Sequence, residues 1–194
     1  LVIVLLIVTL LRIPSLFEPY WYGDEGIYLT LGMAARQGLT LYRDIHDNKP
    51  PLLYLVAALS GTQFWFKFML MVWHLVTIVV FYHLSQLLFQ KHPKAPLVGT
   101  ITFSIFTMLP EGNIANGEIF MILPVILGMI GIWFMHQRSL FTIDSPWLPF
   151  LTGVSFAAAM LFKVPAAIDF AGAVAFLVLV SSGTLREMVK KTLH

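Results

Sequence analysis

Residues 68–90 contain no Asp, Glu, Lys or Arg, and the same holds for 95–110, 119–137, 145–162 and 170–185. A helix crosses the hydrocarbon core of a bilayer with about 20 apolar residues, so these runs constrain the chain more than any other feature. A helix that is apolar all round belongs in a protein core or in lipid. Composition decides between the two. Of the 194 residues, 58% are hydrophobic and 11% charged, and mean hydropathy is +0.83. A soluble domain carries roughly 25% charged residues, so a water-soluble globule is excluded. The expected fold class is all-α, a polytopic transmembrane helical bundle, integral to the lipid bilayer and multi-pass.

The formal net charge is +2, but the twelve basic residues are scattered between apolar segments without a basic stripe, which excludes a nucleic-acid partner. There is no cysteine, so disulfides, zinc–thiolate sites and cysteine nucleophiles are excluded. The chain opens at Leu1 inside the apolar run LVIVLLIVTLL and closes on a basic stretch, which reads as a fragment of a longer protein. No small-residue cleavage site follows the opening run, so residues 1–12 are expected to be part of a first span.

Charge placement suggests the topology. Short loops rich in Lys and Arg stay in the cytoplasm, which puts Lys91, Lys94, Arg138, Arg186, Lys190 and Lys191 inside. With spans at 62–90, 95–110, 114–135, 146–162 and 166–182, the loop 13–61 and the connections 110–118 and 163–169 face outside. Eight of the ten acidic residues then share the outer side. This parity requires 50–60 (PPLLYLVAALS) not to span, and at about 1.5 Å per residue it is too short to do so. It is expected as a juxtamembrane helix. Pro124 and Pro165 are expected to kink or start helices.

The outer loop carries an aromatic cluster, Tyr20-Trp21-Tyr22, then Gly23-Asp24-Glu25 and GIYLTLGMAARQG, a short amphipathic helix by its apolar spacing. Asp24 is expected at its N-cap, and acids in a first turn are what a helix start favours in any case. An acidic pair at the mouth of a bundle also suits general-base work or a divalent cation. Lys49 precedes Pro50-Pro51, which holds it extended at a helix start. It suits either snorkelling or phosphate binding. Glu118 and Lys163 sit at the outer ends of spans, where ionisable groups tend to face a cavity. His74 and His83 are nine residues apart, on opposite helix faces, so a two-His metal site is not expected. Each is expected to face the bundle and hydrogen-bond there.

The order WYGDEGIYLTLGMAARQG, DNKPPLLYL, GEIFMILP and FAAAMLFKVPA resembles the N-terminal part of the C-type (GT-C) glycosyltransferases. Within them it is most similar to the branch joining protein O-mannosyltransferases and lipid A aminoarabinose transferases. That branch has an Asp-Glu pair in the first external loop, a KPPL motif closing it, and a second external acid opening a span. The similarity covers nearly all of this chain but only the first part of the family's length. It departs at Lys163-Val164-Pro165, where the family pattern reads Lys-Gly-Pro.

The resemblance implies a GT-C-type bundle that transfers a sugar from a polyprenyl-phosphate-linked donor to an acceptor lipid, glycan or protein, with inversion. The site would face outside, at the cell (inner) membrane in a prokaryote. The catalytic base maps onto Asp24, and Glu25 would position the acceptor or Asp24. Lys49, Lys163 and Arg36 are the donor phosphate-binding candidates, and Glu118 matches the second acidic position as a supporting residue. Some C-type enzymes use a divalent metal and others in this branch do not, so no metal or cofactor is expected. The alternative is a secondary transporter or flippase for an anionic, lipid-linked substrate. Transporters bind near the bilayer midplane, whereas here the charges gather at span ends.

Overall fold

The structure, a computed structural model, describes residues 1–19, 22–109, 111–137 and 146–192, with side chains to residue 180. Tyr20 and Trp21 of the aromatic cluster, and the 138–145 connection with Arg138, lie outside the described residues. So do the side chains of Arg186, Lys190 and Lys191. Among the described residues the chain is helical throughout and has no strand. The helices are α1 (Val2–Arg12), α2 (Gly23–Arg36), α3 (Pro51–Ser60), α4 (Gln63–Leu88), α5 (Ala95–Phe106), α6 (Gly117–Gln137), α7 (Trp147–Phe162) and α8 (Ala166–Thr192). A 3-10 turn, Pro14–Phe17, follows α1.

Local chemistry sets the helix ends near the site. Pro51 opens α3, where its missing N–H costs nothing, and Gly61 closes it at φ 69°, a left-handed conformation that glycine adopts freely. Thr62 then caps α4 by accepting from the Trp65 N–H. Asn116 Oδ1 accepts from the Glu118 N–H at 2.9 Å, which starts α6 at Gly117 rather than at 114. Pro124 sits inside α6 without ending it.

Among the described residues two helices, α4 and α6, are long and apolar enough to cross a membrane. The segment 95–110 differs from expectation. Its helix, α5, has 12 residues, or roughly 18 Å at 1.5 Å per residue, and stops at Phe106. Beyond it residues 107–109 and 111–116 are irregular, and a buried arginine satisfies part of this backbone while a buried histidine meets the Thr107 side chain. Arg12 donates through Nη2 to the Gly112 carbonyl at 2.8 Å and through Nε to His74 Nδ1 at 2.9 Å. His74 Nδ1 is therefore an acceptor, which assigns the ring hydrogen to Nε2, 2.8 Å from Thr107 Oγ1. Irregular backbone at membrane depth is tolerated where protein buries and satisfies it. His74 thus faces the bundle as expected, whereas His83 is exposed.

Close approach between helices depends on small residues. A Cβ on Gly32 of α2 would lie 2.6 Å from the Ala58 nitrogen and 2.8 Å from the Ala57 carbonyl carbon of α3. Neither backbone can yield cheaply, so Gly32→Val is expected to lower stability by about 1–3 kcal/mol, measured as thermal unfolding in detergent. An unchanged melting curve would show that α2 and α3 are not held this closely. Gly128 and Gly131 play the same part in α6, against Phe156 and Thr152 of α7. Beneath the α2–α3 pair, Tyr28, Leu53, Tyr54, Phe66, Leu70, Phe120 and Phe162 form the core. An apolar cleft of about 590 Å³ between α1 and α5 is lined by none of the charged side chains discussed below.

Candidate functional site

The first turn of α2 starts the site. Tyr22 is the N-cap residue and makes no side-chain cap, so Asp24 lies inside the first turn rather than at the cap. The helix dipole still favours its charge there, but its carboxylate is not spent on the backbone. Instead Lys49 Nζ donates to Asp24 Oδ2 at 2.7 Å, and the Tyr28 hydroxyl donates to the same oxygen at 3.1 Å. Tyr28 lies four residues along α2, on the same face as Asp24. The Lys49 ammonium also donates to the Tyr28 hydroxyl and sits 4.6 Å from the centre of its ring, a cation–π contact. Both hydrogen bonds to Asp24 thus fall on Oδ2, and its side chain is 40% exposed.

The hydrogen bond from Lys49, before any other influence, holds the Asp24 carboxyl below its ordinary 3.8. Burial first, and then the Asp24 charge, push the Tyr28 phenol up, so it stays a neutral donor. Lys49 is itself placed by a tight turn. Tyr42 takes a left-handed φ of 67°, uncommon for a bulky residue. Its hydroxyl donates to the Lys49 carbonyl at 2.6 Å. Nearby, the Tyr54 hydroxyl donates to Asp47 Oδ2 at 2.7 Å, tying the end of the loop to α3.

Lys163, in the turn between α7 and α8, pairs with Glu118 at the start of α6. These elements touch directly, since a Cβ on Gly117 would lie 2.8 Å from the Phe162 carbonyl oxygen. Burial lowers the Lys163 ammonium, and the Lys49 charge lowers it further, while Asp24 and Glu111 pull it back up. The two lysines and Asp24 therefore lie within one another's field. Glu111 enters the same cluster through Tyr22, whose phenol is raised by burial first and then by the charges of Glu111 and Asp24.

Two expected site residues lie elsewhere. Arg36 is at the opposite end of α2, twelve residues and roughly 18 Å from Asp24 at the helical rise. Its guanidinium is exposed and packs on Gly61, where a Cβ would overlap Nη1. It does not join the cluster of Asp24, Lys49 and Lys163. Glu25 is 1% exposed and faces inward. Its Oε1 accepts from the Ala115 N–H at 2.6 Å, and its Oε2 lies 3.4 Å from Lys67 Nζ. Glu25 is therefore closed to solvent and held by Lys67 and the Ala115 backbone rather than by the Asp24–Lys49 cluster.

Four further residues belong to the site or its support: Tyr28, Tyr42, Lys67 and Glu111. Tyr28 carries a signal in its i, i+4 spacing from Asp24. Lys67 is an ionisable residue one turn inside an apolar helix, a pattern that tends to mark function. Tyr42 and Glu111 depend on loop geometry, which no periodicity encodes. Among the described residues, no group of three His, Asp or Glu side chains is arranged to hold a metal ion. In comparisons with known proteins, no family model, no curated protein and no solved structure matches this chain.

Proposed function

We propose that this chain belongs to a multi-pass membrane glycosyltransferase that moves a sugar from a polyprenyl-phosphate-linked donor to a lipid, glycan or protein acceptor, inverting the anomeric carbon. The observation that carries this reading is the convergence of Asp24, Lys49, Lys163 and Glu118 at one end of apolar helices. Inverting transfer needs a base on the face opposite the leaving group, and a departing phosphate needs fixed cations. In this reading α4, α6, α7 and α8 cross the bilayer, as does the segment 95–110 that begins with α5, and the site faces outside.

The acceptor O–H or N–H attacks the anomeric carbon while its proton passes to Asp24. The bond from that carbon to the phosphate oxygen breaks, and polyprenyl phosphate departs, its charge matched by Lys49 and Lys163. Both lysines sit in ion pairs with the two acids. A donor phosphate competes for the ammoniums, and as Lys49 turns to it, the Asp24 pKa rises toward a value better suited to proton abstraction. Donor binding thus arms the base.

That coupling has a pH consequence. Asp24 works ionised, and its pKa lies below 3.8 while Lys49 is present. Lys49→Gln removes the main cause, so the acid limb of kcat/KM should move to higher pH. A limb that stays in place would show that Lys49 does not control Asp24.

The test of the function uses the protein in liposomes with a labelled polyprenyl-phosphate sugar. Acceptor-dependent release of polyprenyl phosphate supports transfer. Intact donor crossing the bilayer would replace this reading with the transporter one, in which the acids and lysines bind or gate.

A further inference from the structure

Lys67, on the first turns of α4, is 1% exposed and meets two carboxylates. Its Nζ is 2.8 Å from Glu18 Oε2, on the segment leading into α2, and 3.4 Å from Glu25 Oε2, inside α2. Glu25 continues the chain of contacts to the Ala115 N–H, in the segment that leads to α6. One buried ammonium therefore joins four parts of the chain: the approach to α2, its first turn, α4 and the entry to α6. Neither Lys67 nor Glu25 is open enough to touch a substrate, so the mechanism above gives them no chemical step.

Asp24 and Glu25 are consecutive on α2, and consecutive side chains on a helix point about 100° apart. Fixing Glu25 inward fixes where Asp24 points. A hydrogen bond and an ion pair on Glu25 leave α2 little freedom to roll, and that roll sets the distance from Asp24 to Lys49. We propose that Glu18, Lys67 and Glu25 form a buried lock whose function is to aim Asp24, with Lys67 as its positioning residue. A salt link between buried groups adds little net stability, so what the lock supplies is orientation. The proposal rests on the transfer reading for its kinetic arm only.

The experiment compares wild type with Lys67→Arg and with the double variant Glu25→Gln, Lys67→Met, which removes the two buried charges together and keeps only the charge of Glu18, whose side chain is one-third exposed to water. In reconstituted protein, kcat and KM for the lipid-linked donor are measured, along with amide hydrogen exchange across 22–36. The double variant should keep its KM for donor, because Lys49 and Lys163 are untouched, and lose about 100-fold in kcat, the scale of a 1 Å misplacement. Exchange in the first turn of α2 should rise. Lys67→Arg, which keeps the charge, should retain most of kcat.

A double variant with wild-type kcat and wild-type protection would overturn the proposal. So would a rise in KM and a fall in kcat together with global loss of protection in Lys67→Arg, since that is what a purely structural pair gives. If the double variant does not fold, Glu18→Gln, at a site one-third exposed, carries the same two readouts with the same expectations. If wild type transfers no sugar from any lipid-phosphate donor, the functional reading fails, and the exchange measurement alone decides the lock.

Discussion

Replacing Asp24 with Asn should reduce kcat/KM for sugar transfer by about 10²–10⁴-fold, the range that general-base catalysis supplies. Expression and folding should be unchanged. The amide oxygen of Asn can still accept from Lys49 and Tyr28, and the side chain is 40% exposed, so little stability depends on its charge. Only proton abstraction is lost. Glu118→Gln serves as a control, because Glu118 pairs with Lys163 rather than with the attacking group, and its loss should be smaller. Wild-type turnover by the Asn variant would remove Asp24 as the base and leave the cluster as a binding site.

Lys67→Met should be the most destabilising single change in the described structure. Breaking a buried ion pair from one side costs about 3–5 kcal/mol, because the remaining charge is stranded. Here the stranded group is Glu25, 1% exposed, which would keep only the Ala115 N–H. Denaturant or thermal unfolding in detergent reads the change. A loss below about 1 kcal/mol would mean that water reaches Glu25. The exposed Arg43–Asp44 pair offers the contrast. It has similar geometry at 2.9 Å, but solvent surrounds it and its removal should matter little.

The apolar runs made the helices legible, because charge-free stretches of this length leave few alternatives. The expected 62–90 and 146–162 differ from α4 and α7 by at most two residues at either end. The 95–110 run is helical only to Phe106. Periodicity cannot tell a helix from irregular backbone that a buried Arg12 satisfies from afar. In the site, Asp24 is legible at a loop-helix start, Lys49 before a diproline, and Lys163 and Glu118 as charges at span ends, and the structure brings them together. Arg36 was misplaced because its helix runs away from the cluster. Glu25 was read alongside Asp24, yet adjacent positions on a helix face different ways. Its partner Lys67 lies 42 residues on, a pairing that only the fold creates.

Direct displacement assisted by Asp24 is tested most directly by the configuration of the product. With a polyprenyl-phosphate sugar of known anomeric form, and the acceptor that supports release, the glycoside made by the wild-type protein is characterised by NMR. A single base acting opposite the leaving phosphate gives the inverted anomer. A product that retains the donor's configuration would contradict it, since retention requires a covalent intermediate on a nucleophile and a second displacement.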